Sequence, residues 1–174
     1  MSSSVFILMG VSATGKTTLG RALAEVSGGV FYDGDDYHPA SNVEKMSSGE
    51  SLTDADRKPW LQALVELMQL RGGKEKPLFL ACSALKKSYR EELRKGAGAV
   101  VFLYLHGDDG LLRERMRKRF ASGDHFMPPS LLDQQLEALE EPTAALWCDV
   151  SSSLEELVEL VLDSYPSLEV GKTE

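Results

Sequence analysis

Gly10-Val11-Ser12-Ala13-Thr14-Gly15-Lys16-Thr17 matches G-x-x-x-x-G-K-[ST] in full and directly follows residues 5–9, a short apolar run that reads as a buried strand. The chemistry of such a loop depends on backbone shape. Glycines let the chain curl tightly and aim N–H groups at phosphate oxygens, and the next helix N-terminus adds a positive dipole end. Lys16 then offers a point charge to the β and γ phosphates of a nucleotide, and Thr17 a hydroxyl to Mg²⁺. Gly10, Val11, Ser12, Ala13, Thr14, Gly15, Lys16, Thr17 and Thr18 are therefore the candidate nucleotide-binding residues. Leu19, Ala22, Leu23 and Val26 recur at helical spacing, and Gly28-Gly29 ends the run. This strand-loop-helix setting separates the motif from an ordinary glycine-rich turn.

The 174 residues suffice for one compact domain, and no low-complexity linker divides them. With 43% apolar residues, 26% charged residues and a net charge of −8, the chain is acidic and as a whole poorly suited to nucleic acid or anionic membrane. Cys82 and Cys148 each sit in an apolar run, so buried thiols are expected rather than a disulfide framework, which favours a reducing compartment. The first four residues pass straight into the first strand without room for a cleavable signal, and no apolar run approaches membrane-spanning length. A cytoplasmic location is the expectation.

Five β-prone runs occur at 5–9, 30–32, 78–82, 100–105 and 146–150, separated by helical patterns. The last helix is the clearest, with Leu154, Leu157, Val158, Val161 and Leu162 forming one apolar stripe behind Ser151-Ser152-Ser153. Alternating strands and helices imply an α/β fold with a parallel sheet covered on both faces and ligands at the carboxyl ends of the strands. The segments of interest are then 10–17, 33–38, 83–90 and the stretch after Gly107.

The second strand ends in Asp33-Gly34-Asp35-Asp36-Tyr37-His38, three carboxylates that repel one another without a cation. A solvated Asp/Gly turn would have a similar composition. The third strand carries no acid at its end, so Asp33 becomes the metal-facing candidate together with Thr17. Residues 42–60 are polar and turn-rich, with Thr53-Asp54-Ala55-Asp56 a candidate capping box and Pro59 predicting a kink or restart near Arg57. Trp60, Leu61, Leu64 and Met68 read as a core-facing stripe. Arg113, Arg115, Arg117, Lys118 and Arg119 concentrate positive charge in an acidic chain, with Arg115 and Arg119 on the half-buried side of their helix. That segment is either a solvated basic helix or a lid whose arginines clamp a transferring phosphoryl group. The residues alone leave open a kinase for another small acceptor and a nucleotide-binding regulator without turnover.

Several blocks together resemble the gluconokinases: the loop itself; Tyr32-Asp33-Gly34-Asp35-Asp36-Tyr37-His38-Pro39; Leu52-Thr53-Asp54-Ala55-Asp56-Arg57 with Pro59-Trp60-Leu61; Cys82-Ser83-Ala84-Leu85-Lys86-Lys87 with Tyr89-Arg90; and His125-Phe126-Met127-Pro128 followed by Leu139-Glu140-Glu141-Pro142. The resemblance implies a P-loop kinase of the nucleoside-monophosphate-kinase type: a single domain with a five-stranded parallel sheet flanked by helices on both faces, a mobile lid at about 113–130 and a substrate-binding helical subregion at about 38–70. It implies ATP with Mg²⁺, gluconate as the acceptor and a homodimer. By that resemblance Lys16, Asp35, Arg115 and Arg119 are the candidate catalytic residues. Asp35, His38, Arg57, Ser83, Lys86, Arg90 and His125 are the candidate substrate contacts. Two departures from the family pattern are visible: Ala13-Thr14 replaces the usual Gly/Ser pair, and the loop between Arg119 and His125 is longer.

Overall fold

The computed structural model describes residues 5–72, 76–123 and 128–168. Five strands, β1 (Val5–Met9), β2 (Val30–Asp33), β3 (Leu78–Ala81), β4 (Val100–His106) and β5 (Leu146–Asp149), form an all-parallel sheet in the order β2-β3-β1-β4-β5. Each strand lies within one residue of the bounds expected from sequence. Alternation along the strands divides the core in two. Phe6 and Leu8 pack with Phe79, Leu103 and Leu105 under α1 (Lys16–Ser27), α5 (Asp109–Ala121), α6 (Ser130–Ala138) and α7 (Leu154–Ser164). Val5, Ile7 and Met9 point the other way, toward α3 (Asp54–Arg71) and α4 (Lys87–Ala97). Burial on both faces explains why the strands read as continuous apolar runs.

Two helix readings need correction. In α1 the buried residues are Leu19, Gly20, Leu23, Ala24 and Ser27, while Val26 is 47% exposed. The helix turns its small residues inward because a Cβ on Gly20 would lie 2.5 Å from the Phe31 ring, an approach that hydrophobicity alone does not signal. Gly28 ends α1 in the left-handed conformation, and Gly29 N–H returns 2.8 Å to Ala24 O. The second correction concerns α3, which runs unbroken through Pro59 with no restart near Arg57. The proline forfeits one helical hydrogen bond, but Trp60, Leu61, Leu64 and Met68 remain buried, and the predicted Thr53/Asp56 capping box starts the helix. A second capping box, Ser153 with Glu156, starts α7.

The carboxyl edge of the sheet carries the phosphate loop after β1 and the acidic turn, a 3₁₀ segment over Gly34–Tyr37, after β2. Gly34 fits against β3 because it lacks a side chain: a Cβ there would lie 2.5 Å from Ala81 O. Gly34→Ala should therefore lower unfolding free energy by about 1–3 kcal/mol, measured by urea titration, because that backbone oxygen cannot move without disturbing the β2–β3 pairing.

Candidate active site

A cavity of about 720 Å³ opens at this edge. Its floor is the phosphate loop. Gly10 sits at φ 143° with Leu105 O only 2.4 Å from where a Cβ would project, and its N–H donates to Ser83 O at 3.2 Å. Gly15 is left-handed at φ 89°. So is Ala13 at φ 65°, a conformation that strains a residue with a Cβ, so replacement of the family's Gly/Ser pair carries a local backbone cost here. Thr14 is buried and its hydroxyl donates to Val11 O at 2.9 Å, bracing the loop from inside.

Lys16 Nζ folds over the loop and donates to Gly10 O at 3.0 Å and Val11 O at 2.8 Å. Burial pulls its pKa below the usual lysine value, against the attraction of Asp35 and Asp33. Thr17 Oγ1 donates to Asp33 Oδ2 at 3.0 Å, and Asp33 Oδ1 accepts from Asp35 N–H at 3.0 Å. Asp33 thus ties the loop to the acidic turn and orients it. Asp35, one wall residue further, has its carboxyl pushed up to about 6 by desolvation and then by the Asp33 charge.

His38, Arg57 and Ser83 also line the cavity. The His38 ring stacks on Trp60, centroids 4.3 Å apart and planes 13° off parallel, and burial helped by Arg57 pushes its imidazole down to about 4. Arg57 donates Nη1 to Leu52 O and lies over the Tyr89 ring. Arg115 and Arg119 reach the cavity from α5, Arg115 also donating to Val150 O at 3.0 Å. Of the expected lid at about 113–130, residues 113–121 belong to α5, a helix anchored by buried Leu112 and Met116. Its first arginine, Arg113, has a counter-charge that sequence proximity did not show, in Asp133 of α6.

Two expected substrate cations have other partners. Arg90 is 5% exposed, lines no part of the cavity, and donates Nη1 to Ala84 O at 2.8 Å and Leu85 O at 3.0 Å. It holds the bend after β3, where Ala84 takes φ 44°. Lys86 lies outside the main cavity, with Nζ 2.9 Å from Asp54 and its charge over Tyr89, beside a neighbouring crevice of about 140 Å³. His125 falls outside the described residues.

The cavity residues that sequence reasoning missed include Gln135 and Trp60. Gln135 of α6 accepts the Ser12 N–H at 2.7 Å, and nothing in its helical spacing signals that reach. Trp60 is core as expected but also a cavity wall, donating Nε1–H to Gly34 O at 2.7 Å. A buried indole needs an acceptor for its N–H, and that requirement was the available clue.

A parallel sheet in this order, with a Gly-Lys-Thr loop facing a carboxylate turn and arginines from a later helix, defines a P-loop kinase. A family profile for AAA domains matches residues 5–142. The thermosensitive gluconokinase of Escherichia coli is 48% identical over 83% of this chain and 75% of its own length. The thermoresistant gluconokinase of the same organism is 41% identical over 88% and 89% respectively. The crystal structure of a gluconokinase from Sinorhizobium meliloti superposes with a TM-score of 0.82 at 43% identity, covering 96% of this chain and 94% of that one. The chain belongs to the gluconokinase family.

The bracing geometry of Arg90 predicts a purely structural deficit. Arg90→Leu should cost about 1.5–3 kcal/mol in urea unfolding, the range for hydrogen bonds to a charged group. Unchanged stability would return Arg90 to the candidate substrate cations.

Proposed function

We infer that this cavity transfers the γ-phosphoryl group of ATP to the terminal hydroxyl of gluconate, the activity for which the family is named. The observation that carries this reading is the convergence of Lys16, the Thr17–Asp33 pair and Asp35 on one cavity that Arg57, Arg115 and Arg119 also line. The loop amides and Lys16 hold the phosphates, and Lys16 exchanges its loop carbonyls for phosphate oxygens. Thr17 hydroxyl and Asp33 carboxylate form a hard-oxygen donor set that suits Mg²⁺, leaving further positions to water and phosphate. Bound there, Mg²⁺ would neutralise charge on the β and γ oxygens.

Asp35 takes the proton of the attacking hydroxyl, its raised pKa bringing it nearer the working range of a general base. Arg115 and Arg119 stabilise charge on the transferred group. With Arg90 and Lys86 engaged elsewhere, Arg57 is the cation left to grip the sugar-acid carboxylate, and its planar fork suits that group. Ser83 and His38 read hydroxyls. A cytoplasmic homodimer completes the proposal; buried Cys82 and Cys148, both free thiols, fit a reducing compartment, and sedimentation would report the dimer.

The direct test is ADP release with gluconate, shikimate and glucose as acceptors. Gluconate should be used fastest, and faster turnover of shikimate would overturn the acceptor assignment. Asp35→Asn should lower kcat by about 10²- to 10⁴-fold as the proton acceptor is lost. Asp33→Asn should chiefly raise the Mg²⁺ concentration needed for half-maximal rate; identical metal titrations for the two variants would show the roles wrongly divided. Arg57→Gln should raise KM for gluconate by about 10- to 200-fold with KM for ATP little changed, because a charge-assisted hydrogen bond contributes about 1.5–3 kcal/mol.

A further inference from the structure

His38 leaves the acidic turn with its side chain only 4% exposed, yet it forms part of the cavity wall. Its ring plane is set by Trp60, which is itself fixed: 1% exposed, with Nε1–H bonded to Gly34 O, the residue just before Asp35. The ring's protonation is set from the other side. Asn42, on α2 (Ala40–Ser47), places Nδ2 2.8 Å from Asp56 O and 3.4 Å from His38 Nδ1. A backbone carbonyl can only accept, so the Asn42 atom facing Asp56 O must be the amide nitrogen, which fixes the amide orientation. That nitrogen has a second hydrogen to offer. His38 Nδ1 receives it only when unprotonated, which puts the imidazole proton of the neutral ring on Nε2. The low pKa of His38 keeps the ring neutral at pH 7.

Nε2 lies 3.9 Å from Asp35 Oδ1. That is too long for a direct hydrogen bond and short enough for one oxygen atom to reach both. A hydroxyl needs an acceptor for its hydrogen and can take a donor on its oxygen, and this pair supplies both.

We propose that Trp60 and Asn42 are positioning residues that hold His38 as the Nε2–H tautomer, so that His38 and Asp35 together grip the gluconate hydroxyl adjacent to the one that is phosphorylated. The grip rests on the reading of this cavity as the gluconate site. It makes the C5 hydroxyl a specificity determinant: an acceptor without it leaves a buried N–H unpaired, and sites built to hydrogen-bond a hydroxyl discriminate strongly against its absence. Asp35 contributes one oxygen to this grip and the other to the reacting hydroxyl. No bond in the protein is made or broken.

The first arm of the test is independent of any substrate. In ¹⁵N-labelled full-length protein at pH 7, imidazole NMR should report His38 as Nε2–H. The chain has three histidines, so loss of one signal set in His38→Gln identifies it. An Nδ1–H ring or an imidazolium overturns the proposal. The second arm is kinetic. Asn42→Asp replaces the donor with an acceptor and should move the His38 proton to Nδ1 or charge the ring. It should raise KM for gluconate about 3- to 10-fold, the scale of one neutral hydrogen bond, with KM for ATP unchanged. 5-Deoxygluconate should be used at least tenfold less well than gluconate by the unaltered enzyme, and that discrimination should shrink in both Asn42→Asp and His38→Leu. Equal discrimination in all three, or equal rises in both KM values, overturns it. His38→Leu keeps the kinetic arm decisive should Asn42→Asp fail to fold. Failure of the unaltered enzyme to use gluconate at all would sink the acceptor reading instead, and the NMR arm would still report the tautomer.

Discussion

Insertion of β3 between β1 and β2 sets the distance on which the site depends. Parallel neighbours lie about 4.8 Å apart, so the ends of β1 and β2 are separated by roughly 10 Å. Ala81 is the register partner of both Leu8 and Asp33 and occupies the intervening position. The gap is bridged from above. α1 leaves the phosphate loop and packs across β3 and β2, which brings Thr17 Oγ1 within 3.0 Å of Asp33. If β2 paired directly with β1, the acidic turn would crowd the loop; one strand further out, Thr17 would not reach it. The small residues at this junction follow from the same constraint, since Gly34 passes close over Ala81 O and Gly20 lets α1 settle on Phe31.

Two carboxylates on one short turn then acquire different environments. Asp33 takes a hydroxyl hydrogen from Thr17 and a backbone hydrogen from Asp35, so both its oxygens are oriented by the fold. Asp35, its side chain 40% exposed in the open cavity, sits beside the Asp33 charge, and partial burial together with that charge outweighs the attraction of Lys16 and Arg119 to push its carboxyl up. The turn thus presents one carboxylate fixed by hydrogen bonds and one whose proton affinity is raised. The turn can do so only because Trp60 Nε1–H secures its start at Gly34 O.

Much of this was legible in the chain because it rests on local pattern. The strands were bounded by apolar runs, the loop by its glycines and lysine, the α3 start by Thr53 and Asp56, and the acidic turn by its composition. What was not legible depends on groups distant in sequence. Arg90 reads as a cation beside the site, and only the bend at Ala84, where the Ala84 and Leu85 carbonyls accept from Nη1, shows what holds the buried guanidinium. Lys86 is drawn aside by Asp54, a partner from α3. Val26 looks apolar enough for a core, but the close approach at Gly20 rotates α1 and turns Val26 outward. Pro59 reads as a kink or a restart, yet no restart occurs, and the buried stripe beyond it retains the helix despite one lost hydrogen bond.

The two walls of the cavity are held by unlike forces. On the α3 side the contacts are buried or cooperative: the Trp60 indole, the His38 stack, and Lys45 reaching both oxygens of Asp56 at 3.1 and 2.9 Å to bolt α2 to the start of α3. On the α5 side the apolar anchors end at Met116, and Phe120 beyond it is 47% exposed. The Arg113–Asp133 and Lys118–Glu114 pairs there are solvent-exposed, a class that contributes about 0–1 kcal/mol each. A shift of the arginine-bearing wall would therefore break weaker contacts than a shift of the wall carrying Trp60 and Arg57. In this arrangement the wall carrying Trp60 and Arg57 is the more firmly held of the two, and the last turn of α5, beyond Met116, is the part whose displacement disturbs the core least.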